Sequence, residues 1–337
     1  MKQNWLMKSL MGEKKNLAVC ISLDVEEEGL FSGSYQAWNC SVTNVQRLRK
    51  LEPLCRELGF PLTLLCTHSV FDNPEARKTL EYMRDTCGAE IGAHLHHWST
   101  PPYDKSSLQS PPLRSEVLSR DTLRKRLEVL LNAGRDFQGA PLECFRMGRW
   151  DLLASWRPML SESGILIDSS ICPLRHFAGG PNHFSAPSDP YWVRGKDKLL
   201  LEAPITQIPL NGAIAKMWDS LCGKNQYLRD RFHFFGAASA NPFWHGPGIM
   251  RLATRLHSMR GGKVLSIFWH SSEMLPGASP HTPDEEAANT FLEKIFKFGR
   301  WLNENYNVKA ITMRELYQMA PDFSFDDYAE DSDNRDW

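Results

Sequence analysis

A chain of 337 residues with 39 Lys plus Arg against 40 Asp plus Glu carries no overall basic field to recruit nucleic acid or an anionic membrane. Its 42 % hydrophobic content suffices for a real core in one large domain or two small ones. No stretch approaches the roughly 18 apolar residues of a membrane span, the N-terminal apolar run LAVCISL is strand-length without a cleavage site after it, and a cytoplasmic protein without a transmembrane segment is expected.

In chain order, apolar runs rich in β-branched residues recur at 17–23, 61–66, 89–93, 164–167, 199–205, 264–269 and 308–312, and each reads as a strand. Helical patterns lie between several of them. In NPEARKTLEYMRDTCG, Asn73 is the expected N-cap and Pro74 the first turn; Ala76, Leu80, Met83 and Cys87 share a face, and Gly88 is the stop. A later helix is expected to begin at Thr282, where T-P-D-E reads as a capping box, with Phe291, Ile295, Phe298 and Leu302 on a common face. Strands alternating with helices imply a parallel sheet with right-handed crossovers, and closing that sheet leaves no edges.

The expected fold is therefore α/β, a distorted (β/α) barrel of about seven strands over residues 17–320. Residues 1–16 read as an N-terminal extension and 321–337 as an acidic, disordered tail. Two stretches break the rhythm: about 98–118, rich in Ser and Pro, and about 206–263, read as an insertion that shapes a substrate cleft before the last strands. Cys20, Cys40, Cys55, Cys66, Cys87, Cys144, Cys172 and Cys222 form no CxxC pair, which favours free thiols in a reducing compartment over a disulfide framework or zinc knuckle.

Parallel sheets build sites at the C-terminal ends of their strands, and five such ends are chemically loaded. They are LDVEEEG (Asp24, Glu26, Glu27, Glu28), GAHLHHW (His94, His96, His97), FRMGRWD (Arg146, Arg149, Asp151), IDSS (Asp168) and FWHSSE (His270, Glu273). A carboxylate and imidazoles from neighbouring strand ends make the donor set of a divalent ion such as zinc, and a free carboxylate beside it can accept a proton from water that the ion acidifies. Singly, each segment has an ordinary reading: histidines in a polar loop, a solvated acidic run, a hydrogen-bonded histidine after a strand. His68, His176, His183, His233, His245, His257 and His281 are read as structural, with Trp244 and His245 as candidates for stacking on a sugar face.

Taken in order, these segments resemble the polysaccharide deacetylase family, the NodB-homology or carbohydrate esterase 4 group, which removes acetyl groups from sugars on a distorted β/α barrel. The resemblance spans about residues 17–315: SLDVEE is similar to the acidic first motif, EIGAHLHH to the histidine motif, FRMGRW to the arginine segment, GILIDSS to the segment after it, and LSIFWHSSEMLPGASP to the last motif. It implies Asp24 as general base, Glu26, His94 and His96 as metal ligands, Arg146 as the residue that orients Asp24, and His270 as general acid. Backbone N–H groups near Arg149 and Trp150 would receive the developing oxyanion, where such donors are worth about 3–4 kcal/mol. Asp168 would tune a charged partner, and Trp98, Trp150 and Trp269 would contact substrate.

Two departures leave alternatives open. Val25 separates the acids that the family more often has adjacent, so Asp24 and Glu26 can exchange roles. Position 98 is Trp rather than a third-spaced histidine, so His97 stands as the alternative to His96. The resulting expectation is a metal-dependent hydrolase, most simply with zinc, that deacetylates an N-acetylated sugar or glycan precursor and has no nucleic-acid partner. A metal-independent amide hydrolase on the same barrel and a catalytically silent carbohydrate-binding protein are the competing readings.

Overall fold

The computed structural model describes residues 14–323, so most of the expected extension and of the acidic tail lies outside the described residues. The central strand is β1 (Asn16–Val25), buried along all but its first residue. Parallel β10 (Val264–His270) flanks one edge, while the other is shared by β11 (Asn307–Ile311) on the first half and β2 (Leu62–Cys66) on the second. Beyond β2 follow β3 (Glu90–Leu95), β4 (Cys144–Met147), β5 (Ile167–Asp168) and β7 (Leu199–Glu202), all parallel, with β6 (Tyr191–Arg194) antiparallel on the outer edge of β7. A separate two-stranded sheet joins β8 (Gln207–Pro209) to β9 (Ala237–Ser239).

This is a distorted (β/α) barrel: the parallel sheet curls, and irregular chain bridges the remaining seam. Ala203 N–H donates to Asp168 O (2.7 Å), and Thr206 exchanges two bonds with β10, N–H to Ser266 O (2.9 Å) and Ser266 N–H to its Oγ1 (2.8 Å). Backbone groups of β10 that a closing strand would pair are thus satisfied largely by side chains, Thr206 serving Ser266 while Asn241 Oδ1 accepts Phe268 N–H (2.9 Å) and Asp189 Oδ1 accepts Val264 N–H (3.0 Å).

Period-two alternation sorts the strands into two environments. Leu17, Val19, Ile21, Leu23 and Val25 of β1 face the main core under the helices, together with Ile91, Ala93 and Leu95 of β3 and Leu265, Ile267 and Trp269 of β10. Ala18, Cys20, Leu65, Cys144, Ile167 and Leu201 fill the barrel's lower interior, plugged by Met313, Leu316 and Ala320 of the last helix, Met313–Phe323. Small side chains are required there: a Cβ on Gly92 would stand 2.6 Å from Leu65 Cδ2 and 3.0 Å from Cys144 O.

Helix Pro74–Cys87 forms as its sequence dictates, with Asn73 accepting from the Glu75 and Ala76 N–H groups and Gly88 at φ 63°. The expected start at Thr282 is corrected. Helix Glu285–Asn305 is capped by Asp284, which accepts from Ala287 N–H, while Thr282 closes a turn onto Ser279 O. Four further differences concern strands: β4, β6 and the β8–β9 pair were not expected, and of the 164–167 run only its end is strand, because Gly164 turns at φ 92°. None of the eight cysteines is disulfide-bonded. No described helix is long and apolar enough to cross a membrane.

Candidate active site

Pairing brings the loaded strand ends together. β1 sets Asp24 opposite His270 of β10, and β3 sets His94 opposite Arg146 of β4. Glu26 follows β1 directly, and its Oε2 lies 3.5 Å from His94 Nε2 and 3.3 Å from His96 Nε2. These three donor atoms fall within 4.8 Å of one another, a group that can hold a metal ion.

The other nitrogen of each imidazole is already committed. His94 Nδ1 lies 3.0 Å from Arg146 O, and His96 Nδ1 lies 2.9 Å from Glu27 Oε1. Both partners only accept, so each Nδ1 carries a proton and each Nε2 is the nitrogen aimed at the shared centre, where His96 would have to give up its second proton to an arriving cation before it could ligate. Two oriented imidazoles and a carboxylate suit a divalent transition ion, with Glu27 and the Arg146 carbonyl as the outer supports. Burial opposes charge on Glu26, Glu27 and His96. Against it, Glu27 and Glu26 raise His96 to about 10, and His270, His94 and His96 hold Glu26 well below the usual carboxylate range.

Glu27 is fully buried and also accepts from Ser99 Oγ (2.6 Å). Glu27→Gln is expected to weaken cation affinity by about 10–100-fold, as loss of such a support does elsewhere. Competition with a chelating dye measures it; an unchanged affinity would show that His96 is oriented by packing alone.

His97 turns away from this cluster. Its Nε2 meets Leu113 O at 3.0 Å, and burial, reinforced by Arg126, lowers its pKa to about 3.

Asp24 is clamped by Arg146, whose Nη1 donates to Asp24 Oδ1. Three more of its donors go to Ser169 O (2.9 Å), Ser169 Oγ (2.8 Å) and Ser22 Oγ (2.8 Å), and the rings of Trp150 and Phe268 each lie 5.2 Å from the guanidinium carbon. A buried arginine anchored by four hydrogen bonds fixes the carboxylate it holds. Asp24 Oδ2 is left facing the Nε2 atoms of His94 and His270, 3.8 Å from each. His270 is backed by Glu273, whose Oε2 lies 3.3 Å from its Nδ1 and accepts its backbone N–H at 3.0 Å. Burial depresses the His270 pKa, but Glu26, Glu273 and Asp24 together push it up to about 9.

Asp24, Glu26, His94, His96 and His270 open on a cavity of about 180 Å³, walled also by Leu30, Phe31, Tyr35, Trp98, Arg149 and Trp150. Trp98 stacks on His96 with ring centres 4.2 Å apart. After β4 the chain turns through Arg149 (φ 59°) and Trp150 (φ 57°), two consecutive non-glycine residues in the left-handed region, a strained conformation of the kind that concentrates at sites. Gly148 precedes them where a Cβ would sit 2.4 Å from His96 Cδ2 and 2.9 Å from Leu95 O. Gly148→Ala is therefore expected to displace the His96 ring and weaken metal binding while the circular dichroism spectrum stays that of the wild type. The dye titration reads this, and wild-type affinity in the folded variant would contradict it.

Two expected residues lie elsewhere. Trp269 is 1 % exposed in the main core, on the opposite face of β10 from His270. Asp168 touches neither Arg146 nor His270: it faces Glu202 across the β5–β7 register, and burial raises both carboxyls above their ordinary values. Its link to the cavity is indirect, through Ser170, whose hydroxyl bonds Asp168 Oδ1 (2.5 Å) and accepts Met147 N–H (2.9 Å) at the foot of the strained turn. Trp244 packs on Phe243 and Phe268, and Phe243, not His245, reaches His270. Glu27 and Glu273 were visible only as members of acidic segments, without roles. Leu30, Phe31 and Tyr35 come from a loop with no motif.

No family model matches the sequence, and no curated protein sequence matches it. Solved structures share its fold, several polysaccharide deacetylases and an allantoinase among them. The chain superposes on a polysaccharide deacetylase from Mycobacterium smegmatis over 94 % of each chain, with TM-score 0.54 and 16 % identity. A glycoside hydrolase/deacetylase from Parabacteroides distasonis aligns over 93 % of this chain and 73 % of its own, with TM-score 0.59 and 12 % identity. An allantoinase aligns over 91 % and 90 %, with TM-score 0.53 and 15 % identity. The likeness is one of fold.

Proposed function

We propose that this chain is a member of the polysaccharide deacetylase family that hydrolyses the acetamide of an N-acetylated sugar or glycan precursor, with a divalent cation, zinc in first place, held by Glu26, His94 and His96. One observation supports it above the others. A two-histidine, one-carboxylate donor set, a carboxylate clamped by a buried arginine and an imidazole backed by a glutamate open on one cavity.

A cation in that donor set supplies positive charge that acidifies water and offsets developing negative charge. Asp24 takes the proton of the attacking water on Oδ2, because Arg146 occupies Oδ1. His270 holds a proton on Nε2 and delivers it to the leaving nitrogen, without which an amide nitrogen is a poor leaving group. Glu273 fixes the His270 ring for that transfer. The N–H groups of the Arg149–Trp150 turn receive the oxyanion, and Tyr35 and Trp150 line the cavity as a wall suited to an apolar sugar face, while Trp98, 1 % exposed and stacked on His96, backs that ring instead. Eight unpaired cysteines, most of them buried, support a reducing compartment. In the cytoplasm the substrate is a nucleotide- or lipid-linked intermediate rather than mature wall polymer.

The test is acetate release from a panel of N-acetylated sugars by the zinc-loaded protein, before and after chelation. Release that stops on chelation and returns with zinc is expected. Undiminished turnover in chelator would replace this reading with a metal-independent amide hydrolase, and sugar binding without turnover would replace it with a silent binder.

A further inference from the structure

The segment between β8 and β9 presents an apolar surface that the barrel does not use. In helix Gly212–Cys222, Ala215 and Cys222 are the buried residues, whereas Ile214, Met217 and Leu221, spaced i, i+3, i+7 on one stripe, face solvent. A surface helix of a globular protein ordinarily turns its large apolar stripe inward; here the small side chains pack and the large ones are out, Leu221 at 72 % exposure. The surface continues over the next elements. Trp218 donates its indole N–H to Leu228 O and packs against Phe235 at 5.1 Å, and exposed Tyr227 and Phe234 bracket the Arg231 guanidinium at 4.3 and 5.6 Å.

Within this segment the charges left outside ion pairs have one sign. The only acids between residues 210 and 236 are Asp219 and Asp230, and they are held by Arg229 (2.6 Å) and Arg175 (2.8 Å). Lys216, Lys224 and Arg231 form no ion pair among the described residues and remain exposed at its rim. A second copy of the chain is a poor occupant, because a two-fold interface sets a patch against itself and this one offers its own cations no unpaired acid in return. An anionic lipid surface fits both features: it accepts the apolar stripe and the aromatic side chains at headgroup depth while Lys and Arg reach the phosphates.

We propose that residues 212–235 dock this protein onto an anionic phospholipid bilayer as a peripheral anchor. The near-zero net charge of the whole chain does not oppose this, since attraction to a bilayer surface falls off within a Debye length and is set by the local patch. The inference stands apart from the catalytic reading, because binding requires no turnover.

Sedimentation of the full chain with vesicles tests it, using phosphatidylcholine alone and phosphatidylcholine mixed with phosphatidylglycerol. Wild type is expected to pellet with the mixed vesicles and to be released by salt. Partitioning should fall at least about tenfold in the Met217→Ser/Leu221→Ser/Phe234→Ser variant, and similarly in Lys216→Glu/Lys224→Glu, with both melting like wild type. Wild type that stays in the supernatant with mixed vesicles, or variants that pellet as wild type does, would overturn the proposal. So would a wild-type dimer, seen by light scattering, that ignores vesicles and is made monomeric by the apolar variant; the face would then join two copies.

Discussion

Asp24→Asn should lower kcat by about 10²–10⁴-fold, the contribution of a positioned general base, with the bound ion retained. The amide is isosteric but takes no proton from water, whereas Glu26, His94 and His96 keep their mutual arrangement because none of them depends on Asp24 for orientation. The substitution carries a second, separable cost. Arg146 is 1 % exposed and Asp24 is its sole acidic partner at salt-bridge distance among the described residues. Removing a buried pair's countercharge costs about 3–5 kcal/mol, moderated here by the three other bonds that the guanidinium keeps. A lower melting temperature is therefore expected, and rates must be compared well below it. Elemental analysis separates the two carboxylates: if Asp24→Asn loses the ion and Glu26→Gln keeps it, the roles are exchanged. A rate within a few-fold of wild type would remove Asp24 from the chemistry altogether.

Why these residues were legible in the sequence, and others not, follows from the pleat. A parallel strand buried on both faces still alternates, so fixing one interior residue fixes its neighbours. With His270 inside the barrel mouth, Trp269 has to point to the helix side, where it is found in the main core; its proximity in sequence to a site residue was misleading for that reason. The same parity places His94 and His96 together and sends His97 elsewhere. By contrast, β4 escapes a search for apolar runs because Arg146 occupies an interior position of a four-residue strand, and a buried arginine in a strand is intelligible only once Asp24, Ser22 and Ser169 are seen around it. The helix start at residues 282–285 failed on a local ambiguity: Thr282 and Asp284 are both good caps, and the tight turn from Ser279 to Thr282 leaves the role to Asp284. Asp168 shows the limit from the other side. Its segment fits the expected motif, yet the carboxyl it meets, Glu202, lies on a strand 34 residues later whose register no local pattern encodes.

The choice between His96 and His97 can be settled by one pair of variants. His96→Ala is expected to lower cation affinity by more than about 100-fold, beyond what loss of an outer support such as Glu27 does, and with it the metal-dependent rate. His97→Ala should keep the ion and a rate within a few-fold of wild type, because its ring faces Leu113 O and not the cavity. Both substitutions remove buried polar groups, so both cost stability, but by different routes. Without His96, Glu27 is a buried carboxylate with Ser99 as its remaining side-chain partner; without His97, only one backbone carbonyl loses a donor, a cost of about 1–3 kcal/mol. His96→Gln, which retains a polar group near Glu27, guards against mistaking misfolding for lost ligation: it should fold better than His96→Ala and still fail to bind the ion tightly. Ion loss in His97→Ala together with retention in His96→Ala would reverse the assignment and mean that the loop after β3 rearranges when the cation binds.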